Sequence, residues 1–464
     1  MIRRRAGELP GPVVSYVDQA LLLARAAGQD AVMQSLWILD GPADLAFVAS
    51  VRGALADAPI SRLIAPSPLP FGRPRWVRAP APTGDLDVAT RPRPAEDLFD
   101  WADEQVDLPL DPVAGPPWRI AVLPLADGRT AVSMVVSHCV GAAFTARDAV
   151  GQAVESVAVG AGAGPVSAGG RDEVSVAAAR RSAVVRADLR QAVADLPAVV
   201  RAVGRALRLL VASRPGRRGG ARPAPEVGTG LVTMPTAVAS VDLAVWDERA
   251  AALGGTPTSL LTAVAVRLAE GTGRVRNGRV HLLVSLLNDG DGEGGLGAAI
   301  PAANAVTLAR VEIDPAAADD HDRLRAVVRA GIATARRRPD PMLALLPLIP
   351  FVPRRLVGAL GETVFGFADD RPVNFGSLGV IPVGYLGIGG FPARWLCTRG
   401  VDRKVSAANL ARRGGVLTVT ASVVGGSMAI TVVAADPTRP GTRADLRRLL
   451  ADVLDGVGVT AEFR

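Results

Sequence analysis

Several things are scarce in this chain of 464 residues. It has two cysteines, Cys139 and Cys397. These supply neither a disulfide framework nor a zinc site, and a reducing cytoplasm is the compartment that suits them. Aromatics make up 4% of residues and do not interleave with basic clusters, so a single-strand nucleic-acid platform is excluded and no nucleic-acid partner is expected. Lysine is nearly absent, Lys404 standing alone among the basic residues. No apolar run reaches the ~18–20 residues needed to span a bilayer. The longest, Pro341 to Pro353, is broken by Pro347 and Pro350. Met1-Ile2-Arg3-Arg4-Arg5 is followed by Gly7, Glu8 and Pro10 instead of an apolar region, so no secretory signal is expected. A G-x-S-x-G elbow, a Walker loop and an H-E-x-x-H helix are all missing.

What is present is apolar. Hydrophobic residues reach 49% and charged residues 21%, with a mean hydropathy of +0.27. This excludes a disordered polypeptide, while 50 Gly and 36 Pro predict many turns. The length exceeds one ordinary domain, so two sizeable cores are expected. With 52 basic against 45 acidic residues, the formal net charge of +7 suits an anionic small molecule or a phospholipid surface as readily as nucleic acid.

Spacing along the chain predicts mixed elements. Ser15 caps an apolar segment, Leu36 to Leu39 is a strand, and Asp44 to Ala56 has helical periodicity. Ala95 to Gln105 forms another helix. Arg119 to Leu123 and Ala131 to Val136, joined by a turn at Asp127-Gly128, form a hairpin whose second strand is apolar on both faces, as in a central strand. A helix follows from Ala146 to Val157. The segment from Asp172 to Ala212 is rich in Ala, Val, Leu and Arg and is interrupted by Pro197. Residues 213–232, rich in Arg, Pro and Gly, read as a linker between an N-terminal unit (1–212) and a C-terminal unit (233–464). The second unit repeats the mixture: strands at Ala237 to Leu243, Val280 to Leu287 and Asn304 to Ile313, helices at Ser259 to Glu270 and His321 to Arg337. A hairpin (Val416 to Val424, Met428 to Ala434) and a helix (Arg443 to Leu454) close it. The fold class is α/β in two parts.

Few residues offer chemistry. His321 sits among Asp319, Asp320 and Asp322 at a helix start, where a solvated polar cap is expected, and His281 opens an apolar strand as a structural residue. His138 lies where the central strand meets Gly141, so its imidazole stands at the mouth of a sheet, as a satisfied core histidine or a catalytic one. Ser137 and Cys139 are its neighbours on an extended strand and point to the opposite face, which removes both as dyad partners. Asp289-Gly290-Asp291-Gly292-Glu293-Gly294 imitates the opening of a calcium loop, but Ile300 occupies the twelfth position where a bidentate glutamate is required, so a solvated turn is expected and no metal.

Three segments taken in order resemble a known family. Ser15-x-x-Asp18, then Phe71-Gly72-Arg73-Pro74-Arg75-Trp76-Val77, then Leu108-Pro109-Leu110-Asp111 with Pro116-Pro117-Trp118-Arg119 are similar to the bacterial wax ester synthase/diacylglycerol acyltransferase family. That family belongs to the coenzyme A-dependent acyltransferases, with chloramphenicol acetyltransferase and peptide-synthetase condensation domains. In it a strand ends in H-H-x-x-x-D-G; here it ends in Ser137-His138-Cys139-Val140-Gly141-Ala142-Ala143. Thr256 to Val264, Val284-Ser285-Leu286 and Asn304 continue the match, and Asn374-Phe375-Gly376-Ser377-Leu378-Gly379 sits where the family carries an Asn-containing turn.

The resemblance implies two chloramphenicol-acetyltransferase-like subdomains facing across a central channel. It also implies an O-acyltransferase that uses acyl-CoA, or an acyl group on a carrier's pantetheine arm, as co-substrate with no permanently bound cofactor. The acceptor would be a hydrophobic alcohol such as diacylglycerol or a fatty alcohol. His138 would be the general base, and Ser137, Gly141, Ala142, Asn304, Asn374 and Gly376 would line the substrate channel. The chain departs from the family at Ser137, at Ala142 (the motif aspartate) and at Ala143 (its glycine). An inert homologue that binds lipid or a partner, and a condensation-like enzyme using carrier-bound acyl groups, therefore stand beside the acyl-CoA reading.

Two basic-apolar segments bear on location. Arg180 to Arg222 suits contact with an anionic membrane or lipid-droplet surface, and equally a solvated helix face with one packed side. Arg336 to Arg355 brackets a greasy stretch that suits a lip meeting an acyl chain, and equally a buried connector between the two units.

Overall fold

Helix capping and strand burial set out the architecture. The computed structural model describes residues 11–79, 84–160, 175–212, 230–287, 303–304, 306–337, 343–352, 370–436, 438–439 and 441–463. Helices occupy α1 (Tyr16–Ala26), α2 (Leu45–Ala54), α3 (Leu98–Asp107), α4 (Ala143–Ala158), α5 (Ser175–Ala212), α6 (Leu243–Ala252), α7 (Pro257–Gly271), α8 (His321–Arg337), α9 (Val383–Leu386), α10 (Ala407–Arg412) and α11 (Arg443–Gly456). Their starts follow local chemistry. Asp44 and Asp242 accept hydrogen bonds from the free amides of α2 and α6, while Thr256 with Ser259 and Thr442 with Asp445 form reciprocal boxes on α7 and α11.

The strands are β1 (Asp30–Leu39), β2 (Leu63–Ala65), β3 (Arg75–Val77), β4 (Asp85–Val88), β5 (Trp118–Pro124), β6 (Thr130–Ser137), β7 (Thr236–Asp242), β8 (Val280–Leu287), β9 (Val306–Ile313), β10 (Val373–Val380), β11 (Trp395–Arg403), β12 (Val416–Val424), β13 (Ser427–Ala435) and β14 (Glu462–Phe463). They form a five-stranded sheet in the order β11-β1-β6-β5-β4, a seven-stranded sheet in the order β14-β7-β13-β12-β10-β8-β9, and the small β2-β3 pair. Each large sheet carries its own apolar core, so the molecule is a two-lobed mixed α/β structure.

The β5-β6 hairpin matches its expected place: all eight residues of β6 are buried, as a strand with neighbours on both sides requires. Among the strands not foreseen, one reshapes the first sheet. β11 comes from the second half of the chain but pairs antiparallel with β1, from Asp30↔Arg403 to Ile38↔Trp395, and so completes the first sheet. Arg399, on β11, is almost fully buried. Its guanidinium donates to Gln34 Oε1 (2.8 Å) on β1, Thr236 Oγ1 (2.7 Å) on β7 and Asp103 Oδ1 (2.5 Å) on α3. One side chain thus joins both sheets.

Three expectations are corrected. Pro197 does not interrupt its segment: α5 is a single helix of 38 residues that continues through it. Pro197 removes one helical donor, but the carbonyl four residues earlier belongs to Val193, which is 72% exposed and open to water. The Asn374 to Gly379 stretch is no turn. It lies within β10, parallel to both β8 and β12 inside the second sheet, with a register irregularity between Ser377 and Val380. His321 is not a solvated cap; it is 4% exposed, with Nδ1 3.3 Å from the Ser259 hydroxyl. Residues 213–229, most of the expected linker, and Asp289–Gly294 lie outside the described residues.

Candidate functional site

The site begins where β6 runs out of partners. Ser137 N–H donates to the Pro117 carbonyl (2.9 Å) and His138 N–H to the Ala31 carbonyl (3.0 Å), and the chain then turns through Val140 N–H to Ser137 O (3.0 Å). Ser137, Cys139, Val140 and Gly141 are buried, while His138 is half-buried. A Cβ added at Gly141 would come to 3.0 Å from Ile60 Cγ2, so a side chain there would have to displace Ile60 by a few tenths of an ångström. Ala142 is 6% exposed and takes the first cap position of α4 without a side-chain hydrogen bond.

A buried carboxylate stands where sequence reasoning had assigned no functional residue. Asp18, in the first turn of α1, has no solvent exposure. Its Oδ2 accepts from Ser15 Oγ (2.8 Å) and Ala303 N–H (3.2 Å); its Oδ1 accepts from Asn304 N–H (3.2 Å) and Asn304 Nδ2 (2.8 Å). The same Asn304 Nδ2 donates to the main-chain oxygen of His138 (2.9 Å). From the other side, Ala142 N–H (3.2 Å) and Thr145 Oγ1 (2.9 Å) both donate to the Ala303 carbonyl. Residues 303–304 therefore tie the histidine loop and the start of α4 to α1. The Ser15-x-x-Asp18 spacing was the available signal, since a serine capping a helix three residues before an acid brings the two side chains together.

Burial decides the charge states. It pushes the Asp18 carboxyl above the usual range, opposed by the bonds from Asn304, Ser15 and the Ala303 and Asn304 amides. It lowers the His138 imidazole, opposed by the main chain at Gly141 and by Asp18. The His138 ring is thereby held neutral at physiological pH, and its Nδ1 is buried with no hydrogen bond of normal geometry to any described residue. Cys139 is pushed up to about 12 by burial, so its thiol is not a nucleophile. Arg62, whose guanidinium lies over the Trp76 ring (4.6 Å), is lowered by burial, with the charge of Asp18 opposing. Sequence reasoning missed it too, and nothing in its neighbours marks it.

Asn304 is 6% exposed and its amide nitrogen is occupied by Asp18 and the His138 carbonyl. Asn374, on β10, donates to Thr418 Oγ1 (3.3 Å), and Gly376, also half-buried, passes Ser285. Neither is hydrogen-bonded to the histidine loop among the described residues. The far end of β10 does approach it: Leu378 packs in the same core as Cys139 and Val140, and its carbonyl accepts from Arg147 of α4 (3.1 Å). A crevice of about 420 Å³ opens between the lobes, with Ile38, Phe99, Leu125, Ala237, Arg129 and Arg443 among its lining, and His138 is not part of it. No group of His, Cys, Asp and Glu able to hold a metal ion occurs among the described residues.

No family profile and no curated protein matches the sequence. Solved structures do match its shape. The first condensation domain of the calcium-dependent antibiotic synthetase, in complex with a substrate analogue, is 16% identical, with a TM-score of 0.57 over 97% of this chain and 96% of that one. A mutant starter condensation domain of rhizomide synthetase in complex with C8-CoA is 12% identical, with a TM-score of 0.52 over 97% and 94%. The nonribosomal peptide synthetase FmoA3 is 17% identical, with a TM-score of 0.52 over 98% of this chain, which spans only 45% of that longer protein. The fold is accordingly the two-lobed one of these condensation domains.

Proposed function

We propose that the chain is an acyltransferase that moves an acyl group from a thioester to the hydroxyl of a hydrophobic alcohol, with His138 as general base. The observation that carries this is the placement of a neutral, half-buried imidazole just past the end of a wholly buried strand, in a loop clamped by Asn304 and Asp18. Because Nδ1 is buried, Nε2 is the nitrogen left to take the acceptor's proton. The freed oxygen attacks the thioester carbonyl. The tetrahedral oxyanion then collapses with cleavage of the C–S bond, and the leaving thiolate recovers the proton from the imidazolium. The products are an ester and a free thiol, and no cofactor is consumed.

A thioester donor is supported by likeness in shape: a mutant starter condensation domain of the same fold was solved with C8-CoA. Acyl-CoA is the lead donor on the order of motifs from Ser15 to Trp118, which resemble wax ester synthases and diacylglycerol acyltransferases. A carrier-bound acyl group is the second reading, favoured by the condensation domains among the similar structures. The acceptor, a fatty alcohol or diacylglycerol, is the part of the proposal that rests on the motif resemblance alone. Such an acceptor is met at a membrane or lipid-droplet surface. The absence of an acid from the motif position Ala142 and the separation of the crevice from His138 favour a third reading, an inert binding homologue.

Purified protein incubated with long-chain acyl-CoA and a panel of alcohols, with free thiol and ester both measured, separates the three. Ester and thiol in equal amounts from acyl-CoA support the lead. Turnover only with an acylated carrier protein supports the condensation reading, and acyl-CoA binding without thiol release supports the inert one.

A further inference from the structure

We propose that the exposed face of α5 docks the protein onto an anionic phospholipid surface. The proposal is independent of whether the chain transfers acyl groups.

Six large apolar side chains of this helix face solvent: Leu189 (46% exposed), Val193 (72%), Leu196 (56%), Val200 (62%), Val203 (44%) and Leu207 (57%). Their spacings alternate between four and three residues. At 100° per residue they fall within an arc of roughly 80°, a continuous stripe about 27 Å long. Along one flank of that stripe lie Arg186, Arg190, Arg201 and Arg208, all exposed. The only two acids between residues 183 and 208 are on the opposite side of the helix. Asp188 is 2% exposed and paired with Arg75 (2.7 Å), and Asp195 is paired with Arg73 (3.2 Å).

Those two ion pairs, with the packing of α5 against the short helix Leu343–Phe351, fix which face looks outward. The outward face therefore offers apolar side chains and positive charge with no carboxylate. A merely solvated face would not place Leu and Val at six positions in register. Charge selects the occupant: arginine stems lie along an apolar surface while their guanidinium heads reach phosphate oxygens at the headgroup level. The stripe lies parallel to a surface and is too polar on its flank to span one; no helix among the described residues is long and apolar enough to cross a membrane.

Co-sedimentation of the full chain with phosphatidylcholine vesicles, and with the same vesicles containing phosphatidylglycerol, tests this. Binding is expected only to the anionic vesicles, falling as salt rises. The triple variant Arg186→Gln/Arg190→Gln/Arg208→Gln is expected to weaken it by roughly fivefold per arginine removed. The double variant Val193→Ser/Val200→Ser is expected to abolish it while leaving the melting temperature and far-ultraviolet dichroism intact, since both sites are exposed. Absence of binding to either vesicle overturns the proposal, as does equal binding to both. So does a dimer seen in sedimentation equilibrium that the Val193→Ser/Val200→Ser variant dissolves without any vesicle binding, which would assign the stripe to a second copy of the chain.

Discussion

Asn304 holds Asp18 and the main chain of His138 with one nitrogen, at 2.8 Å and 2.9 Å. Asp18 comes from the first helix and Asn304 from the strand-entry segment of the other half of the sequence, some 286 residues away. The loop that carries the imidazole is thus held through its main chain. The position where the resembling family carries its motif aspartate is filled by Ala142, whose amide instead donates to the Ala303 carbonyl.

Asn304→Ala frees both contacts at once. If the clamp aims the ring, a shift of about 1 Å suffices to lower kcat by roughly 100-fold, with KM for the acyl donor little changed. Asp18→Ala leaves the donors of Ser15, Ala303 and Asn304 facing an emptied buried site, and is expected to cost about 2–5 kcal/mol of stability. Thermal melts of both variants beside their turnover numbers check this: the first variant should lose rate out of proportion to stability, the second should lose stability first.

The pH profile has a definite sign. Burial lowers the His138 pKa from 6.5, so the neutral form that acts as base persists to lower pH than in a free imidazole. The acid limb of kcat/KM for ester formation is expected below pH 6.5, with a plateau above it. Stability follows the same direction. The folded chain binds this proton less readily than the unfolded one, so the contribution is complete above the unfolded value and is lost as pH falls through the folded value. An acid limb above 6.5 would mean that a different group, or a charged imidazole, governs the rate.

Both thiols are expected to be inert. Burial pushes Cys139 up to about 12 and Cys397 up to about 11, so a thiol-specific alkylating agent at neutral pH should leave the native protein unmodified and its turnover intact. Rapid loss of activity on alkylation of Cys139 would point to a cysteine nucleophile instead of a histidine base.

Arg399→Met removes three hydrogen bonds and leaves Asp103 with Arg443 as its remaining cation. Breaking one partner of a buried pair costs about 3–5 kcal/mol. Because the side chain bridges the two sheets, urea unfolding of this variant should show a lower midpoint and can lose the single transition. An unchanged midpoint would remove Arg399 from the account of how the lobes are joined.

The sequence displayed local order well and long-range order poorly. The β5-β6 hairpin, α7 and α8 were legible because their periodicity and turn residues act within a few positions. α8 begins and ends at the residues expected. The pairing of β11 with β1 was not, because register across more than 350 residues leaves no local trace, and Trp395 to Arg403 mixes polar and apolar residues without alternation. Asn374 and Gly376 were expected in a turn because the resembling family carries an Asn-containing turn there; pairing with β8 and β12 holds them in a strand instead. At the site, His138 stood out by its position at a strand end, which alone leaves a core and a catalytic histidine both open; its role as base is what the family resemblance implies. Asp18 was visible as a motif but not as a partner, since its ligands come from the far half of the chain.

The central claim is that His138 Nε2 removes the acceptor's proton. Ester formation from acyl-CoA and an alcohol by the native protein and by His138→Ala, compared at a pH on the plateau, tests it most directly. The account predicts a loss of roughly 100- to 10,000-fold in kcat with the fold intact, because a positioned general base supplies that much. Ester formation at the native rate by the His138→Ala protein would contradict it.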